Sequence, residues 1–125
     1  MDNLITIDGP GGSGKGTVAK LLAAKLGWNI LDSGALYRLI ALISENIKNS
    51  DPNSIGKELK DKKIIFELIE DQYHLFFDGK DVTSFIRREE IGTKASDLAH
   101  NQNIRNLIKD TQRSFYDSSI GLVAD

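Results

Sequence analysis

Apolar residues follow two rhythms along this chain. Leu4-Ile5-Thr6-Ile7 is a short continuous run ending at Asp8, the pattern of a strand buried in a parallel sheet. Val18, Leu22 and Leu26 then recur at i, i+4 and i+8 with Ala19 and Ala23 beside them, which predicts the buried stripe of a helix. Gly27 is placed to end that helix as its C′ residue. Trp28 to Leu31 predicts a second strand, and Asp32 or Ser33 caps a further helix with Leu36, Leu39, Ile40 and Ile43 on one face. Strand, helix, strand, helix in succession predicts a parallel, doubly wound α/β sheet.

The rhythm changes after Asp51-Pro52, which reads as an N-cap with proline at N1 opening a short helix to about Lys60. Ile64 to Ile69 and Tyr73 to Phe77 flank a polar turn at Glu70-Asp71-Gln72. Asp78-Gly79 marks another turn before Lys80-Asp81-Val82. These residues predict a small antiparallel β insert within the α/β chain. Helical spacing returns from about Arg88 to Ala99 and from Asn103 to Tyr116, and Ile120 to Ala124 predicts a last buried strand. Ending at Asp125 on a core strand carries the expectation of a truncated chain.

Composition narrows the class without naming an activity. The chain has 125 residues, 40% of them hydrophobic, which suits one soluble globular domain. A net charge of -2 supplies no basic field to recruit nucleic acid. No cysteine is present, so disulfides and thiol chemistry are excluded. No signal peptide or long apolar run is evident, which makes a cytoplasmic protein with no membrane partner the expectation. His74 and His100 lack metal-ligand partners at suitable spacing.

The chemistry concentrates between the first strand and the first helix. Gly9-Pro10-Gly11-Gly12-Ser13-Gly14-Lys15-Gly16-Thr17 places five glycines and a lysine where a strand gives way to a helix. Such a loop turns its backbone N–H groups around an anion, and the helix adds its positive end to the same point. Lys15 is suited to the β- and γ-phosphates of a nucleotide, and the Thr17 hydroxyl to a magnesium ion, directly or through water. The match to G-x-x-x-x-G-K-[ST] is not literal, because Gly16 stands where Ser or Thr is usual and Thr17 follows it. The GKGT ending resembles the nucleoside monophosphate kinase branch of the P-loop proteins.

A second anion-oriented turn occurs at Asp32-Ser33-Gly34-Ala35-Leu36-Tyr37-Arg38, where Ser33 opens a helix and Arg38 offers a planar fork of donors. Together with GPGGSGKGT, the LDSGALYR stretch resembles the bacterial cytidylate kinases, which phosphorylate CMP and dCMP. The stretches DGKDVTSFIR, KASDLA, QRSF and GLVAD are similar to the same family. The resemblance runs from Leu4 to Asp125 and covers about the first half of a typical member.

That resemblance implies a P-loop NTPase-type fold in three parts. These are the first part of the core at 1–60, a β-rich CMP-binding insert at 61–90, and core helices with the final strand at 91–125. It implies ATP contacts from Gly9 through Thr17 and CMP contacts from Ser33, Arg38, Ser96 and Arg105, with Arg105 facing outward to the ligand. Lys15, Arg38 and Asp125 are the implied catalytic residues, Asp125 matching the first aspartate of the family's Asp-Gly-Arg-Asp segment. Asp81, Val82 and Arg87 match the family's insert. The implied reaction moves the γ-phosphoryl group of ATP, held with Mg2+, to CMP or dCMP in a monomeric enzyme. Two alternatives stand beside it: a P-loop module that binds nucleotide without turnover, and a P-loop kinase of the shikimate kinase type.

Overall fold

The computed structural model describes residues 3–7, 15–117 and 121–124. These residues divide between two compact units, one formed by 1–33 with 109–125 and the other by 34–108.

In the first unit, β1 (Leu4–Thr6), β2 (Asn29–Leu31) and β6 (Leu122–Ala124) form a parallel sheet in the order β1-β6-β2. Register aligns Thr6 and Leu31 with Ala124, and Ile5 and Ile30 with Val123. The last strand is therefore the central one. Its backbone is saturated on both sides, and the ladder extends through Ile7 N–H to Ala124 O at 2.8 Å and Asn29 N–H to Gly121 O at 3.0 Å. Leu122 and Val123 are buried accordingly, with Ile30 and Leu31 beside them.

Helix α1 (Lys15–Leu26) packs on β6 and β2. Its C-terminus is a Schellman closure. Gly27 has φ +68°, Trp28 N–H bonds to Ala23 O at 3.0 Å, and Gly27 N–H bonds to Ala24 O at 3.4 Å. The buried stripe differs from the one predicted. Ala19 and Ala23 are fully buried, whereas Val18 is 52% and Leu26 42% exposed. The apolar period fits both faces, and the small alanines let the helix axis approach the sheet closely.

The second unit is built on α2 (Ser33–Ile47), whose predicted face Leu36, Leu39, Ile40 and Ile43 is buried together with Ala41, Leu42 and Ser44. Helix α3 (Pro52–Leu59) begins as its sequence signals: Asp51 Oδ2 accepts from Ser54 N–H at 3.3 Å and from Ser54 Oγ at 3.2 Å. Next come β3 (Ile64–Ile69), β4 (Gln72–Phe77) and β5 (Lys80–Asp81), an antiparallel sheet in that order. Both connections are two-residue turns with φ > 0 at each position, Glu70-Asp71 and Asp78-Gly79. That geometry matches the right-handed twist of hairpin strands.

Three helices follow: α4 (Thr83–Ile86), α5 (Glu89–Leu98) and α6 (Gln102–Asp117). Of these, α4 has no counterpart in the sequence reading, because a single turn is too short to display a period.

A polar knot ties the β insert to α4. Asp81 Oδ1 accepts from Thr83 Oγ1 at 2.6 Å and from Thr83 N–H at 3.0 Å, and Asp81 Oδ2 lies 2.8 Å from His74 Nδ1. Thr83 Oγ1 in turn accepts from Leu75 N–H at 2.9 Å. The Thr83 hydroxyl, then the Thr83 amide, and to a lesser degree His74 lower the Asp81 carboxyl from its ordinary 3.8 to about 2. A depressed carboxyl stabilises the fold fully above its unfolded value and loses that contribution as pH falls through its folded one. Urea midpoints are therefore expected to fall between pH 4 and pH 2. Asp81→Asn is expected to lower the midpoint at pH 7 and to flatten the drop across that window. An unchanged slope in the variant would assign the acid sensitivity to other groups.

Candidate functional site

Two sets of residues come together, one in each unit. In the first, the common row of Thr6, Ala124 and Leu31 puts the carboxyl ends of all three strands at one edge of the sheet. In open parallel sheets this is the edge beyond which ligands bind. The segment after β1 leads to Lys15 at the start of α1, and the segment after β2 leads directly to Ser33 at the start of α2. With β6 between them, the carboxyl ends of β1 and β2 lie about 10 Å apart, twice the spacing of neighbouring strands.

Gly9, Pro10, Gly11, Gly12, Ser13, Gly14 and Asp125 lie outside the described residues. Lys15 and Gly16 are described as the first residues of α1. Thr17, third in that helix, is exposed. Ser33 is half-buried at the head of α2. A hydroxyl in the first turn of a helix that follows a phosphate-type loop fits a magnesium ion, which takes few protein ligands and completes its shell with substrate phosphates and water. Among the described residues no group of His, Cys, Asp and Glu is arranged to hold a metal by itself.

In the second unit, α5 gathers three of the predicted contacts. Arg38 on α2 donates from Nη1 to Ile86 O at 2.9 Å and lies against Gly92. Ser96 is exposed one turn beyond Gly92. One turn further, Ala99 O accepts from Arg105 Nη1 at 2.8 Å, and Arg105 Nη2 also donates to Gln102 Oε1. Positions 92, 96 and 99 share one face of a helix and span about 10 Å along it. Arg38 thus meets α5 at Gly92 and Arg105 meets its C-terminal end at Ala99 O, with Ser96 between these two positions along the helix.

Through these two bonds Arg105 reaches back to the end of α5. The cause is electrostatic: Ala99 caps α5, and its carbonyl belongs to the helix's negative end, which attracts a cation. Ser33 and Arg38 open and continue the same helix but lie about 140° apart around it. The Arg38 contacts to Ile86 O and Gly92 are long-range, and an isolated glycine within the α5 pattern was the only sequence signal of them. Arg87 is exposed at the C-cap of α4.

The neighbouring face of α5 carries an open groove of about 430 Å³ lined by Glu89, Glu90, Thr93, Lys94 and Asp97. Three carboxylates against one ammonium make it a poor seat for a phosphate. Among the described residues no helix is long and apolar enough to cross a membrane.

A parallel α/β sheet whose first strand and first helix are joined by a glycine-rich sequence, with a small antiparallel sheet in the chain that follows, is consistent with the P-loop NTPase class of fold. Within that class, the sequence model of the cytidylate kinase family matches residues 5–125, and the chain belongs to that family. Cytidylate kinase of Marinomonas sp. is 48% identical over 125 residues, 98% of this chain and 55% of that protein. Cytidylate kinase of Azotobacter vinelandii is 42% identical over 126 residues with the same coverage, 98% and 55%. Cytidylate kinase of Polynucleobacter necessarius is 48% identical over 122 residues, again 98% of this chain and 55% of the relative. The chain thus spans about 55% of the length of the curated relatives it matches.

Proposed function

We propose that these residues serve a cytidylate kinase reaction: transfer of the γ-phosphoryl group of ATP to CMP or dCMP, giving ADP and CDP or dCDP. A phosphate oxygen of the acceptor forms the new P–O bond, and the bond from the γ-phosphorus to its bridging oxygen breaks. The acceptor is already largely ionised at neutral pH, because a phosphate monoester's second pKa is near 6. No serine or histidine nucleophile is then required, and catalysis consists of positioning and charge neutralisation.

The roles divide by element. Gly9 through Thr17 wrap the phosphates of ATP, with Lys15 as a mobile cation. Thr17 holds Mg2+, directly or through water; when bound, the ion neutralises charge on the phosphate oxygens. Ser33, Arg38, Ser96 and Arg105 take the acceptor nucleotide, and Asp125 joins Lys15 and Arg38 as a catalytic residue. The reading carries with it a monomer working in the cytoplasm, with no nucleic-acid or membrane partner.

The observation that supports it most is the single carboxyl edge shared by β1, β6 and β2, where both anion-oriented turns begin. ADP release from ATP and magnesium tests it, with CMP, dCMP, UMP and shikimate offered in turn. Release restricted to cytidine acceptors supports the reading. Release with shikimate alone overturns it.

A further inference from the structure

We infer that Gly92 is a positioning residue for Arg38: its missing side chain is the seat on which the guanidinium lies, and it sets where the open donors of that group point. The inference rests on the acceptor role proposed for Arg38. A Cβ at Gly92 would stand 2.8 Å from Nη2, 3.1 Å from Cζ and 3.1 Å from Nη1 of Arg38. Three atoms of one planar group, nearly equidistant from a single point, mean that the plane lies flat over the glycine. At one edge Nη1 is committed to Ile86 O at 2.9 Å. Nε and Nη2 have no protein partner among the described residues. A fork with one edge anchored and its side-on edge open suits two oxygens of one phosphate.

The helix gives an independent reason. Gly92 is the fourth residue of α5, where glycine is disfavoured relative to alanine by its extra backbone freedom. Its φ is not in the positive region that would demand glycine, and the three nearest atoms a Cβ would meet all belong to Arg38. Because those atoms are the far end of a flexible side chain, an alanine there moves the guanidinium and leaves the core in place. Ser96, one turn on, then marks the next point along the same face.

Calorimetric titration with CMP and with ATP tests this on four chains: wild type, Gly92→Ala, Arg38→Ala and the double variant. Gly92→Ala is expected to weaken CMP binding roughly tenfold, within the range that a displacement of about 1 Å produces. ATP binding should not change, and adding Gly92→Ala to Arg38→Ala should cost nothing further. Should Gly92→Ala fail to fold, the double variant is expected to fold, because the obstructing side chain is gone. Wild-type CMP affinity in Gly92→Ala overturns the inference alone, as does a double variant that stays unfolded. A wild-type chain that binds ATP and no CMP overturns the acceptor reading and this inference with it.

Discussion

Gly121→Ala is expected to destabilise the first unit by about 3 kcal/mol, the upper end of the usual cost of forcing an extra carbon into a packed core. A Cβ at Gly121 would overlap Cδ2 of Trp28 and lie 2.5 Å from its Cε2 and 2.6 Å from its Cγ. These are atoms of a rigid ring system, so no terminal rotation relieves the overlap. Nor can the backbone yield easily. Gly121 is buried, its carbonyl holds Asn29 N–H at 3.0 Å, and it leads directly into the central strand β6. Displacing it disturbs pairing with both β1 and β2. Urea unfolding followed by the fluorescence of Trp28, the only tryptophan of the chain, reads the effect at the residue concerned. Replacing Trp28 by leucine in the same background, with unfolding followed by far-UV circular dichroism for all variants, should recover part of the loss. A wild-type midpoint for Gly121→Ala would mean that the ring is not packed against the strand.

Lys15→Ala is expected to lower CMP-dependent ADP release about a hundred- to a thousandfold, the scale seen when one preorganised stabiliser of transition-state charge is removed. Lys15 begins the helix that follows the glycine-rich segment, so in the proposed reaction its charge and the positive end of α1 would act on the same phosphates. Lys15→Arg keeps the charge but exchanges a compact ammonium for a broad fork, and is expected to restore little. Steady-state kinetics at saturating ATP separate the outcomes. A fall in kcat with CMP KM unchanged supports a role on the donor. A raised CMP KM with kcat retained would move Lys15 to the acceptor.

Features encoded within a few residues were legible in the sequence. Asp51-Pro52 signalled the start of α3 because cap and first helical residue are adjacent, and Gly27 signalled the end of α1 for the same reason. The polar stretches Glu70-Asp71-Gln72 and Asp78-Gly79 located both hairpin turns, since the demand for positive φ falls on the turn residues themselves, although Gln72 belongs to β4. Long-range arrangements were not legible. That β6 sits between β1 and β2 depends on pairing across most of the chain, which no local pattern records. The period of α1 did not distinguish the face of Ala19 and Ala23 from that of Val18 and Leu26. The candidate site divides in the same way. Local grammar marked Lys15, Thr17 and Ser33 at helix starts, whereas the packing of Arg38 on Gly92 and the return of Arg105 to Ala99 O join residues on different helices.

The central claim, that these residues serve phosphoryl transfer to a cytidine monophosphate, is tested most directly by a coupled ADP-release assay on the 125-residue chain. The assay contains ATP and magnesium, with and without CMP, and uses Lys15→Ala as the blank. ADP release is expected to rise with CMP and to fall about a hundredfold or more in the Lys15→Ala chain. ADP release that ignores CMP, or that is undiminished in the Lys15→Ala chain, would contradict it. ATP binding with no release at all would leave the chain a nucleotide-binding module without turnover.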